Sequence, residues 1–249
     1  MTSSPHAARA APLDAASRGV VALAALFALA ALGCDLARLG ETHGALTSAS
    51  LGFAFARSVT CAALVPLGLG HAAPRDGRRM LAIFALVVVA DLLILVCGQL
   101  VAGIAVFLVV QVGLAARHFG GLPAAPQAAR RTVTRRALAV SATWLVVMGA
   151  IARPVSQVGL LAPVAVYSLA LATSLTAGLS APALGRFDRR AASRIAWGMV
   201  LFVLCDITVA LNAALAGQRL GALVGATTGI FYTPSLVLLA LSMRRETTA

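Results

Sequence analysis

Eight times along this chain of 249 residues an apolar run of about twenty residues recurs, and no junction between runs could hold a folded soluble domain. The runs lie at about 19–36, 50–70, 80–98, 100–117, 136–153, 157–179, 194–215 and 221–243. A hydrocarbon layer roughly 30 Å thick is crossed by about twenty helical residues at 1.5 Å each. In lipid every backbone N–H and C=O must be paired within the chain, so apolar runs of this length fold as helices. The pattern predicts an all-α, polytopic bundle of eight transmembrane helices, forming a single integral membrane domain over residues 1–249 behind a tail at 1–18. Composition agrees: 60% of residues are hydrophobic and 11% charged, where a soluble domain carries about a quarter charged. Runs three and four are so close together that they must form an antiparallel hairpin.

The net charge of +12 raises the question of nucleic acid, and position answers it. All twenty basic residues are Arg, and they sit almost wholly in the junctions, as topology signals do. Nucleic acid is therefore excluded as a partner. The tail, the even-numbered junctions and the C-terminus hold sixteen: Arg9, Arg18, Arg75, Arg78, Arg79, Arg117, Arg130, Arg131, Arg135, Arg136, Arg186, Arg189, Arg190, Arg194, Arg244 and Arg245. The other side holds Arg38, Arg153 and Arg219. With an even number of spans, this bias predicts both termini in the cytoplasm and the protein in the inner membrane. The segment 118-HFGGLPAAPQAARRTVTRR-136 reads as a cytoplasmic linker between two four-helix halves. Arg18 followed by 20-VVALAALFALAALGC-34 resembles a signal peptide, but the run is long enough to stay as a span and is read as one.

Polar residues inside the runs carry the functional information. In 81-LAIFALVVVADLLILV-96 fifteen of sixteen residues are hydrocarbon, and the other is Asp91. Run seven, 197-WGMVLFVLCDITVALNAAL-215, again holds one carboxylate, Asp206. Asp91 follows Arg79 by twelve residues and Asp206 follows Arg194 by twelve, so each lies about 18 Å from the Arg-rich boundary. The matched depths suggest a 4+4 pseudo-repeat. Arg57 in run two, Gln111 in run four, Tyr167 in run six, and Tyr232 and Ser235 in run eight fall near the same layer. A charge at mid-membrane costs about 2.5–3.5 kcal/mol on insertion scales, so three of them need mutual compensation. Arg57 is expected to pair with one or both carboxylates. Gln111 or Tyr167 taken singly reads as a bridge between helices. Two depth-matched carboxylates beside an Arg read as a site.

The chemistry open to such a layer is narrow. The four histidines, His6, His43, His71 and His118, fall in the tail and junctions, so no metal or other cofactor is expected. There is no G-x-S-x-G nucleophile elbow. The four cysteines form no C-x-x-C pair and read as small packing residues.

Phe84 and Asp91 on one helix, the hairpin helix 103-GIAVFLVVQVGL-114, Tyr167 in 166-VYSLALATSL-175, 201-LFVLCD-206 and 231-FYTPSLVLLALS-242 follow one another in an order that resembles the YhhN family. The likeness runs from about residue 50 to 243. It implies eight spans and a relation to lysoplasmalogenase, with the family's two intramembrane aspartates at Asp91 and Asp206 and its tyrosine at Tyr167. The sequence departs from the family pattern at four places. A Lys-Pro pair is Arg57-Ser58, a histidine is Gln111, its tyrosine partner is Leu114, and a glutamine is Ser235. The activity implied is hydrolysis of the vinyl ether of a lysoplasmalogen or similar lysophospholipid. Asp91 and Asp206 would be the catalytic acid and base, with Arg57, Gln111, Tyr167, Tyr232 and Ser235 binding substrate or supporting them. The residues alone do not say which carboxyl is the acid. Two other readings stand beside this one: a non-catalytic lipid-binding member of the family, and a small proton-coupled transporter.

Overall fold

The computed structural model describes residues 13–37, 44–157, 159–215 and 218–244. Residues 1–12, 38–43, 158, 216–217 and 245–249 lie outside the described residues, and with them Arg9, Arg38, Arg245, His6 and His43. The described chain forms ten α-helices: α1 (Ala15–Ala37), α2 (Gly44–Ala62), α3 (Leu64–Gly68), α4 (Pro74–Asp91), α5 (Leu100–His118), α6 (Gln127–Gln157), α7 (Leu161–Leu184), α8 (Arg189–Ala214), α9 (Arg219–Ala226) and α10 (Thr228–Leu241). They make eight segments long and apolar enough to cross a membrane, with α2–α3 and α9–α10 each forming one broken segment. The chain is a multi-pass membrane protein built as a helical bundle.

Local chemistry sets the boundaries. Pro66 cannot donate to the carbonyl of Ala62, and α2 ends at that residue. Pro74 occupies the first turn of α4, where a missing N–H costs nothing. Gly185, at φ +64, closes α7 in the left-handed conformation, and the Asp188 carboxylate caps α8 by accepting from Ala191 N at 2.7 Å. The expected 118–136 linker is largely helical. After a 3-10 turn over Phe119–Ala124, α6 starts at Gln127, nine residues before the expected span, with Arg130, Arg131, Arg135 and Arg136 on its opening turns. Hydropathy marks the apolar part of a helix; a polar helix that projects past the membrane is invisible to it.

The main core lies where α4, α5, α8 and α10 meet, with Met80, Phe84, Val87, Leu114, Met199 and Phe202 buried there. Packing is close. The Ser235 hydroxyl on α10 donates to the Gly198 carbonyl on α8 at 2.9 Å, and a Cβ at Gly198 would stand 2.9 Å from Leu239. Lipid tails are as apolar as Leu, so helices in membranes are held by such small-residue contacts and interhelical hydrogen bonds.

The Arg-rich end of the bundle is clamped by Arg117, the last-turn residue of α5, which is wholly buried. Its Nε and Nη2 donate to the two carboxylate oxygens of Asp76 on α4, at 2.8 and 2.7 Å, and its Nη1 donates to Ser242 Oγ at 2.9 Å. His118, expected in a junction, closes α5 and is buried with its ring edge-on to Phe187. At the same end Arg244 Nη1 donates to Asp14 Oδ2 at 3.2 Å, so both ends of the described chain share one face of the bundle.

Candidate functional site

Asp91 ends α4, and the five residues after it, Leu92–Val96, wind as a π-helix. Cys97 N–H reaches back to Leu92 O at 3.0 Å, five residues earlier, and Gly98, at φ +65, releases the turn. Such a turn inserts one residue into the helical count and re-aims the side chains after it, commonly at functional sites. Asp206 sits in regular helix within α8.

The two carboxylates are held alike. Asp91 Oδ2 accepts from the Tyr232 hydroxyl at 2.8 Å, and Asp206 Oδ2 accepts from the Tyr167 hydroxyl at 2.7 Å. Each phenol comes from a neighbouring segment, α10 in one case and α7 in the other. Both carboxylates and both tyrosines line one chamber of about 230 Å³, together with Arg57 and the ring of Phe107. Phe202 packs edge-on against Phe107 and Tyr232, with centroids 6.0 and 5.8 Å apart, and stiffens the wall.

Arg57 is in the site but not in the way expected. No ion pair within 4.0 Å joins it to Asp91 or Asp206; its guanidinium lies over the Tyr232 ring, 5.1 Å from the centroid. The side chain is 5% exposed and its Nε is buried without a hydrogen-bond partner. Room for it is made by Gly229, where a Cβ would stand 2.5 Å from Arg57 Nη1. The charge balance is thus through space and through the ring of Tyr232, whose hydroxyl donates to Asp91.

Neither Gln111 nor Ser235 lines the chamber, and Ser235 lies at the height of Gly198, about 12 Å along α8 from Asp206. Gln111 Oε1 accepts from Ser174 Oγ at 2.5 Å, tying α5 to α7, and Ser235 makes the α10–α8 bond to Gly198. Both bridge helices.

Two further cavities adjoin the chamber. A groove of about 540 Å³ runs between α6, α7 and α8, with Asp206 and Tyr167 in its lining beside Trp144 and Ser168. It is almost wholly apolar and lies at the outside of the bundle, where Val146 is 73% exposed. Trp144 Nε1 donates to Ser168 Oγ at 2.9 Å, which pins α6 to α7. Neither residue is among the expected site residues, although a Trp and a Ser at comparable depth on consecutive spans are a readable pair. The other cavity, of about 380 Å³, is more polar and lies at the end away from the Arg-rich loops, lined by Asp35, Ser50, Arg57, Asn212, Thr228 and Gly229. The chamber alone falls below the ~300–1,000 Å³ of ordinary small-molecule sites; with the groove it reaches that range.

Among the described residues no group of three His, Cys, Asp or Glu side chains converges as metal ligands would. The chemistry on offer is that of two phenol-bonded carboxyl groups in a low-dielectric chamber beside one buried cation.

A family model, that of the YhhN family, matches residues 52–243, which span α3 to α10 and the second half of α2. No curated protein and no solved structure matches the chain.

Proposed function

Because the chain belongs to the YhhN family of lysoplasmalogenase-like membrane proteins, we propose that it hydrolyses the vinyl ether of a lysoplasmalogen, with Asp91 and Asp206 as the acid–base pair. The observation that supports this most is the single chamber in which both carboxyl groups are held by tyrosine donors.

Enol ethers hydrolyse by slow protonation of the β-carbon, which gives an oxocarbenium ion that water captures. Arg57, the cation lining the chamber, lies on the ring of the tyrosine that donates to Asp91, and this favours Asp91 as the ionised partner. Asp206 is then the acid. Its proton forms the new C–H bond at the β-carbon, and the ether oxygen shares its lone pair with the α-carbon. Water adds to the α-carbon and gives its proton to the Asp91 carboxylate, leaving a hemiacetal. Asp91 returns that proton to the glycerol oxygen as the C–O bond breaks, and the hemiacetal hydroxyl gives its own to Asp206. The products are a fatty aldehyde and a glycerophospho-headgroup; one water is consumed and both carboxyls are reset. The alkenyl chain lies in the apolar groove, whose lining includes Asp206 and Tyr167.

Purified protein given a lysoplasmalogen should release aldehyde and leave ester-linked lysolipids intact. Release of fatty acid from an ester would point to lipase chemistry and sink the proposal. We further place the Arg-rich end in the cytoplasm of an inner-membrane protein, since basic residues gather on that side. A reporter fused at the C-terminus that works only when exported would refute this.

A further inference from the structure

A buried guanidinium with an unpartnered Nε is an expensive group to keep in a membrane protein. Arg57 is such a group, and neither carboxylate of the chamber is bonded to it. It lines two cavities at once, the chamber and the polar vestibule at the end away from the Arg-rich loops. Thr228 and Leu95 line both as well, so the two spaces meet at this point. A Cβ at Gly229 would stand 2.5 Å from Nη1, so this position of the guanidinium is open only beside a glycine. The vestibule beyond it is walled by polar groups that suit a hydrated headgroup: Ser50, Asn212 and Asp35, whose Oδ1 accepts from Ser50 Oγ at 2.6 Å.

We propose that the vestibule is the headgroup site of a lysophospholipid and that Arg57 binds its phosphate. The geometry gives each part of such a molecule its own place. Phosphate lies on Arg57, the first atoms of the chain pass between Asp91 and Asp206, and the remainder leaves past Tyr167 into the apolar groove. Guanidinium is the side chain best matched to a phosphate, through paired N–H donors in one plane. Asp35 in the same vestibule would repel a bare phosphate dianion and suits a phosphodiester whose far end carries an ammonium group. The inference deepens the proposed lysoplasmalogenase reading by naming what holds the polar half of the substrate.

Its test does not depend on turnover. A saturated 1-O-alkyl lysophosphatidylethanolamine has no vinyl ether to hydrolyse, and 1-O-alkylglycerol of the same chain length lacks only the phosphoethanolamine. Binding of each to protein in nanodiscs is measured by calorimetry. Wild type should bind the phospholipid about tenfold or more tightly than the alkylglycerol. In Arg57→Gln that preference should vanish while alkylglycerol binding persists, which also shows that the variant is folded. Ala54→Leu, which fills the vestibule and leaves Arg57 in place, should lose most of the preference too. No preference in wild type, or one that survives either substitution, overturns the proposal. If Arg57→Gln does not fold, Ala54→Leu decides alone. A wild type that shows the preference but releases no aldehyde from a vinyl ether would sink the hydrolase reading and leave this one standing.

Discussion

Tyr232→Phe isolates one hydrogen bond at the centre of the site. The substitution removes the hydroxyl that donates to Asp91 Oδ2 at 2.8 Å and leaves the ring. The retained ring still meets Phe202 edge-on at 5.8 Å and still carries the Arg57 guanidinium at 5.1 Å. What is lost is a bond to a carboxylate in a buried setting, worth about 1.5–3 kcal/mol. If Asp91 must be ionised to take a proton from the attacking water, most of that loss falls on the reacting state. At 1.36 kcal/mol per factor of ten, aldehyde release should slow by about ten- to a hundredfold. The assay is aldehyde production from a lysoplasmalogen, coupled to an aldehyde dehydrogenase, with kcat and KM measured separately. The drop should fall on kcat, because the hydroxyl is bonded to the carboxylate rather than to substrate. A Tyr232→Phe protein that works within about twofold of wild type would refute the reasoning, since Asp91 would then need no donor. A rise in KM alone would place Tyr232 on the substrate instead.

Other outcomes follow from the same geometry. Asp91→Asn and Asp206→Asn should each fold and each lower turnover by about 10²–10⁴, and wild-type turnover should be clearly slower in D2O because carbon protonation limits the rate. At the Arg-rich end, Asp76→Ala strands the buried Arg117 guanidinium and should cost about 3–5 kcal/mol of stability in a detergent melt, part of which Arg117→Met in the same background should restore. The Asp14 carboxyl is held below the usual carboxylate range by hydrogen bonds from the Ser17 backbone and hydroxyl, together with the charge of Arg244. A depressed folded-state pKa means stability that is present above the ordinary carboxylate value and lost as pH falls through the lowered one. Amide-exchange protection at Ser17, whose N–H donates to Asp14 Oδ1 at 2.7 Å, should therefore fade on strong acidification and be unchanged between mild acid and neutral pH.

The shared depth of the two carboxylates was legible in the sequence; the azimuth of their neighbours was not. Counting twelve residues from Arg79 and from Arg194 placed Asp91 and Asp206 in one layer, and both line one chamber. The same counting put Gln111 and Ser235 in that layer, but Gln111 is turned onto Ser174, and Ser235 meets Gly198, about 12 Å along α8 from Asp206. A rise of 1.5 Å per residue fixes height along one helix; which way a side chain points, and what it faces on the next helix, depends on how the helices tilt and roll against one another. The π turn after Asp91 was equally hidden, because 92-LLILV-96 has the composition of any lipid-facing helix. Arg57 was read as the partner of a carboxylate on charge alone, whereas sterics put it against Gly229 and over the Tyr232 ring. The α6 start at Gln127 escaped because nothing apolar marks it.

The first helix has a consequence of a different kind. Among its described residues only Ser17, Ala24 and Ala31 are buried, and the family match begins after it, at residue 52. Yet Ala28, Ala31, Leu32 and Asp35 of α1 form one wall of the polar vestibule, and none of them lines the chamber of Asp91 and Asp206. The vestibule is therefore built partly by a segment that does not touch the carboxyl chamber. In evolutionary terms the two are separable: substitutions among small residues on α1 would reshape the vestibule while the carboxyl pair stays as it is. If the vestibule holds the headgroup as proposed, selectivity can diversify through a sparsely buried helix, and recombining α1 between relatives is the direct way to exploit that.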